Sequence, residues 1–120
     1  MANDFKRFPS ASLGTTAGAS ATAVYTVPSS GSAMESIVIG ITLANKSNAG
    51  ITASVFLDNH DGSNDVYIVK DATIPAGASL EVMSGNKLVL QGTVSANDAL
   101  RISASAASAL DATVSVLEDV

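Results

Sequence analysis

Apolar and polar residues alternate along most of the chain, and the alternation breaks at short polar stretches containing glycine, proline or asparagine. The clearest run is residues 33–45, AMESIVIGITLAN. Ile37, Ile39, Ile41 and Leu43 fall on one face, with Val38, Gly40, Thr42 and Ala44 on the other. Side chains of a strand project to opposite faces at successive residues, so this period of two predicts a strand with the isoleucine face buried. The next run, ITASVFLD, repeats the pattern and points Ile51, Ala53, Val55 and Leu57 inward. Between the two lies NKSNAG, a polar connector suited to a hairpin or a short loop.

Further strands are predicted at Val66–Lys70, Ser79–Met83, Lys87–Gln91, Ala99–Ala104 and Ala112–Leu117. Turn signals separate them at Pro75-Ala76-Gly77, Ser84-Gly85-Asn86, Ala96-Asn97-Asp98 and the small residues around Ser108. Upstream, ATAVYTVP predicts a strand ending at Pro28, SSGS a turn, and Ser10–Thr15 a weaker first strand. No segment sustains helical periodicity: SASAASALDA is rich in alanine but carries no apolar stripe. About seven to nine short strands with frequent turns predict an all-β antiparallel sandwich, immunoglobulin-like or jelly-roll in topology. Residues 1–22 read as an N-terminal arm that can include a short first strand, and residues 23–120 as the sandwich domain.

Composition sharpens this reading. Hydrophobic residues make up 47% of the 120, aromatics only 4% and charged residues 14%, so the apolar content is mostly small or β-branched. Such residues fit closely packed pleated surfaces, and the hydrophobicity is too high for a disordered chain. The net charge is −5 and Lys6-Arg7 is the longest basic run. Binding to nucleic acid through phosphates needs clustered cations, so no nucleic-acid partner is expected. There is no cysteine, which removes disulfides and thiolate zinc sites. No window approaches the ~20 apolar residues of a membrane helix, and the N-terminus lacks a signal-peptide core, so a protein used without export is expected.

Chemistry concentrates in FLDNHDGSNDVYIV, residues 56–69, which holds the only histidine. An EF-hand loop with Gly62 at its sixth position would start at Leu57 and end at Ile68, where oxygen ligands are required, so that motif fails. Asp58, Asp61 and Asp65 leave a looser calcium site conceivable. The simpler reading makes Asp61-Gly62 the tip of a hairpin joining Ile51–Leu57 to Val66–Lys70. His60 has no second histidine or cysteine with which to build a zinc site, no G-x-S-x-G serine faces it, and it reads as an exposed loop histidine. Glu35 and Glu81 form no recognisable acid pair. No catalytic residue, cofactor site or metal site is expected.

The N-terminal NDFKRFP carries two of the three phenylalanines, Phe5 and Phe8, around Lys6 and Arg7. Scarce aromatics need a surface to bury against. Either the rings cover this domain's own open end, or the arm docks on a neighbouring subunit and pairs its two cations there. The small-residue stretch SLGTTAGASATA reads as a flexible linker giving the arm reach. Phe56 and Leu117 also fall on the outward face of their strands, among Thr52, Ser54, Thr113 and Ser115. Phe5, Lys6, Arg7, Phe8, Phe56 and Leu117 are therefore the candidate partner-binding residues.

These segments together resemble a known group. MANDFKR, AVYTVPSS leading into ESIVIGITLAN, VYIVKDATIPAGASLEVMSGNKLVLQG and the closing ALRISASAASALDATVSVLEDV are similar to small structural proteins from virions of tailed bacteriophages, particularly of marine and cyanobacterial hosts. The likeness covers most of the chain and consists of strand and turn patterns. It implies a non-enzymatic β-sandwich present in many copies, binding other virion proteins as a head decoration or cement component, or else at the neck, tail or fibre. It also implies assembly in the host cytoplasm, no cofactor, and a possible homo-oligomer. A glycan- or receptor-binding sandwich using Asp58, His60, Asp61 and Asp65 is the competing expectation, weakened by the absence of tryptophan.

Overall fold

Strands with apolar residues at every second position must each bury one face, and this chain does so by stacking two antiparallel sheets. The computed structural model describes residues 3–28, 34–83, 87–93 and 96–119. Nine strands lie within these residues: β1 Asn3–Ser10, β2 Thr22–Thr26, β3 Met34–Asn45, β4 Ile51–Asp58, β5 Val66–Ile74, β6 Ser79–Glu81, β7 Leu88–Gly92, β8 Ala99–Ala104 and β9 Leu110–Asp119. A single 3-10 turn occupies Gly18–Ser20. The first sheet runs β1-β9-β3-β6 with β7 also on β3, and the second runs β2-β8-β4-β5. The all-β sandwich expected from the alternation is the observed fold. The turns expected at SSGS, residues 29–32, and at 84–86 lie outside the described residues.

The core sits between the sheets. Val38, Ile41, Leu43, Leu90, Val114 and Val116 enter it from the first sheet, and Tyr25, Ile51, Val55, Leu100 and Ile102 from the second. Ile51, Ala53 and Val55 are buried as expected, and Leu57 packs partly buried against the same cluster. On β3 the expected face holds only for its second half. Val38 pairs with Val116 and Gly40 with the adjacent Ser115, so Ile39 is an extra residue, a β-bulge. One extra residue inverts the alternation. Met34, Ser36 and Val38 face inward before the bulge and Ile41 and Leu43 after it, while Ile37 is only partly covered and Ile39 is 40% exposed. Burial of Ile37 and Ile39 between the sheets is thus corrected. The Ile41 N–H at the bulge bonds to the carboxylate of Glu81, which also accepts the Thr42 hydroxyl.

NKSNAG is not a hairpin. It carries the chain from β3 in the first sheet to β4 in the second. Asn45, itself buried, ties this corner by donating to the carbonyls of Ala49, Ile74 and Pro75 and accepting from Ser47. The first strand also differs from expectation: it is Asn3–Ser10 and not Ser10–Thr15, because an eight-residue antiparallel register on β9 supplies its ladder. The expected flexible linker is a fixed strap. Leu13 and Ala21 are buried, Leu13 N–H bonds to Leu110, Gly14 accepts from Ala104, and the 3-10 turn lies against β4 and β8. Its residues Thr15 and Ala17 wall a cleft of about 140 Å³ over the outward-facing Thr52, Ser54 and Ser103.

Candidate assembly surface

Antiparallel register decides which outward side chains become neighbours. On the first sheet, Phe5 pairs with Leu117, Leu117 with Ile37, and Ile37 with Val89. Four apolar residues thus form one row across β1, β9, β3 and β7, on the face turned away from the core. Phe5 is 76% exposed and Val89 54%, and the exposed Ile39 of the bulge lies beside the row. A solvated outer face is expected to be polar, and contiguous apolar surface on one marks an interaction site more often than scattered single residues do.

Charged groups flank the row on both sides. The next outward position toward the β3 N-terminus is Glu35, in register with Gln91 of β7. On the other side stands Arg7, opposite Ser115. Both Arg7 and Glu35 are exposed, and neither forms an ion pair among the described residues.

The remaining candidates separate. Phe8 and Lys6 alternate with Phe5 and Arg7 and turn inward. Phe8 packs on Tyr25 with ring centroids 4.8 Å apart. Lys6 Nζ sits 2.9 Å from Oε1 of Glu118, a residue with no solvent exposure. This oxygen has the ammonium as its charge partner without a hydrogen bond of good geometry, and the other carboxylate oxygen accepts the Tyr25 hydroxyl. The close Glu118 contact and its charge raise the Lys6 pKa above its ordinary value. Burial, then the Glu118 contact, push the Tyr25 hydroxyl far above the usual phenol range. These two arm residues thus cover this domain's own end, whereas Phe5 and Arg7 do not. Phe56 is outward on the second sheet, yet only 9% exposed, with the Tyr67 ring edge-on at 5.0 Å.

The histidine loop is the tip of the β4–β5 hairpin, with Gly62 at φ +77° as a tight turn requires. Its carboxylates serve local bonds: Asp58 holds Arg101, Asp61 accepts the Ser63 N–H and Asp65 the Asn59 N–H. Among the described residues no three histidine, aspartate or glutamate side chains gather as a metal site. His60 departs from the exposed position expected of it. Its ring Nδ1 lies 2.7 Å from Oδ1 of the buried Asp98, which also accepts the His60 N–H, while Oδ2 takes the Gln91 N–H. An imidazole oriented by a buried carboxylate is two parts of a triad, but no hydroxyl among the described residues bonds its other nitrogen. The pair pins the hairpin tip to the strand that follows β7. Glu81 likewise serves the bulge, and Glu35 lies on the opposite side of the apolar row.

Sequence reasoning found Phe5 and Leu117 and missed Ile37, Ile39 and Val89. A signal was present in the uninterrupted IVI and LVL runs, where consecutive apolar residues on a strand place one of them on each face. No protein-family model matches this chain, and a search of curated proteins also returns no match.

Proposed function

We propose that this chain is a non-enzymatic structural protein of a tailed-bacteriophage virion, a head decoration or cement component that binds other particle proteins. The observation that carries the assembly role is the apolar row Phe5–Leu117–Ile37–Val89 on an outer sheet face. A partner covering it gains roughly 25 cal/mol per Å² of apolar area removed from water. The virion setting rests on the resemblance of the strand and turn segments. An acidic, cysteine-free sandwich suits assembly in a reducing cytoplasm, and its charge gives no footing on nucleic acid. Among the described residues no helix is long and apolar enough to cross a membrane. The neck, tail and fibre remain alternative positions in the particle under the same reading.

The test is complementation of the phage with the double variant Phe5→Thr/Val89→Thr, followed by the protein composition of purified particles. Both side chains are exposed and threonine keeps strand propensity, so the variant is expected to fold and stay soluble yet be depleted from particles. Particles containing the variant at the wild-type level overturn the assembly role of this face. Particles lacking even the wild-type chain overturn the virion reading.

A further inference from the structure

We propose that the cleft between the strap and the outer face of the second sheet binds one neutral sugar ring, either free or at the end of a glycan. Its floor follows the strand register: Ser103 of β8 stands opposite Ser54 of β4, and Asp71 of β5 bonds to Ser54 in turn. Thr15 and Ala17 of the strap and Asp71 of β5 wall it. The strap is fixed from below, since the Gly14 carbonyl accepts the Ala104 N–H and the Ala21 carbonyl accepts from Arg101. The walls are therefore in place before a ligand arrives, which lowers the ordering cost of binding.

The cleft holds hydroxyls that the chain leaves without partners. Ser103 is only 5% exposed, yet its hydroxyl makes no hydrogen bond among the described residues. The hydroxyls of Thr15 and Thr52 make none either, Thr52 bonding there through its backbone alone. A buried hydroxyl with no protein partner is met by water or by a ligand. Beside these groups lies a fixed acceptor. Asp71 takes a left-handed backbone, φ +52°, and its N–H donates to Ser54 Oγ at 2.9 Å, while its carboxylate lines the cleft. The Lys70 hydrogen bond, then the Lys70 charge, hold the Asp71 pKa below its ordinary value, so at neutral pH this group only accepts.

These groups select the ligand by its chemistry. An anion meets the Asp71 carboxylate, and Lys70 is already paired with it. A divalent cation needs several carboxylates, and no three acidic or histidine side chains gather among the described residues. An apolar molecule would strand the hydroxyls. A neutral molecule with several hydroxyls satisfies all of them: it donates to Asp71, exchanges bonds with Ser103 and Thr52, and lays its C–H face on Ala17. The cleft measures about 140 Å³, and a cavity of about 150 Å³ takes one benzene ring. A single six-membered ring therefore seats here with its substituents toward the open side. No aromatic ring lines the cleft for the sugar to stack on, so a dissociation constant of about 1–10 mM is expected. The site is separate from the histidine loop, whose carboxylates are engaged locally. Nor does it depend on the virion reading, although many copies in an array would gain from such weak sites by avidity.

The experiment is NMR on the full chain in solution. Saturation transfer and amide shifts are recorded with glucose, galactose, mannose, xylose and N-acetylglucosamine, and an immobilised glycan array forms a second arm. At least one sugar is expected to bind and to move the amides of Ser54, Asp71 and Ser103. Binding to free sugars and to the array fits a site for the ring alone; binding on the array only assigns the site to the terminal residue of a larger glycan. Ser103→Ala is expected to weaken binding by about three- to tenfold and Asp71→Asn by about tenfold, as loss of a neutral and of a charged hydrogen bond does elsewhere. Asparagine also tolerates the left-handed backbone at this position. Ala17→Leu, on the exposed strap, is expected to fill the cleft and abolish binding without unfolding the chain. No binding in either arm overturns the inference. So does binding that all three variants leave unchanged, or amide shifts at the cleft caused by phosphate or calcium and by no sugar. Each of these results comes from the isolated chain, so none of them bears on whether it enters particles.

Discussion

The two sheets of this molecule treat their outer faces differently. The second sheet is covered in part by its own chain: the strap between β1 and β2 crosses it, Arg101 reaches the strap at the Ala21 carbonyl and also holds Asp58, and Tyr67, itself 38% exposed, closes over Phe56. The first sheet has no such cover over Phe5, Ile39 and Val89, which stay open to solvent. Phe56 and Phe5 are both outward phenylalanines on strands of the same sandwich, and one is 9% exposed while the other is 76%. An outward hydrophobe is therefore not by itself a binding residue. What decides is whether the same chain supplies the lid.

The largest expected effect tests the bulge that shapes the open face. Ile41→Ala removes a fully buried side chain and is expected to cost about 2–5 kcal/mol in chemical denaturation, whereas Ile39→Ala, on the open face, is expected to cost less than about 1 kcal/mol. Equal losses would mean that Ile39 is not the residue turned out. A direct comparison of the lids comes next. Phe56→Ala is expected to destabilise the isolated chain by about 2–3 kcal/mol and Phe5→Ala by about 0.5 kcal/mol or less, measured by urea midpoints at low protein concentration. A large loss at Phe5 under those conditions would show that the first sheet has an internal lid after all.

The smallest effect is electrostatic and concerns the end of the molecule where the strap leaves β1. Lys46 sits 2.9 Å from Asp111, and the Ser12 N–H donates to the same carboxylate. The lysine hydrogen bond first, then the backbone bond, lower the Asp111 pKa below its ordinary 3.8. A depressed carboxylate pKa stabilises the fold above the unfolded value, and that contribution is lost as pH falls through the folded value. Thermal melts taken downward from pH 5 are expected to show a slightly steeper loss for the wild type than for Lys46→Met. Since both side chains are about two-fifths exposed, the difference should shrink in high salt. Parallel acid profiles would remove this tie.

The sequence by itself determined that the chain is all-β, that β8 runs over Ala99–Ala104, and that Asp61-Gly62 turns between β4 and β5. These are local matters: a period of two and a turn residue are read within a few positions. It also flagged Leu117 as outward, since parity along a regular strand is enough for that, and singled out Phe5 only as a scarce aromatic of the arm. Only the tertiary structure decided the rest. A single bulge at Ile39 inverts parity without any change in composition, and its freed N–H is satisfied by Glu81, forty residues away in sequence. Lys6 reads as a partner for another subunit until β1 lies on β9 and brings Glu118 beneath it. His60 reads as exposed until Asp98 arrives from the far end of the β7–β8 connection. Alternation states that a strand has two faces, but pairing between distant strands chooses what each face meets, and that choice is what leaves Phe56 beneath Tyr67 and Phe5 open to solvent.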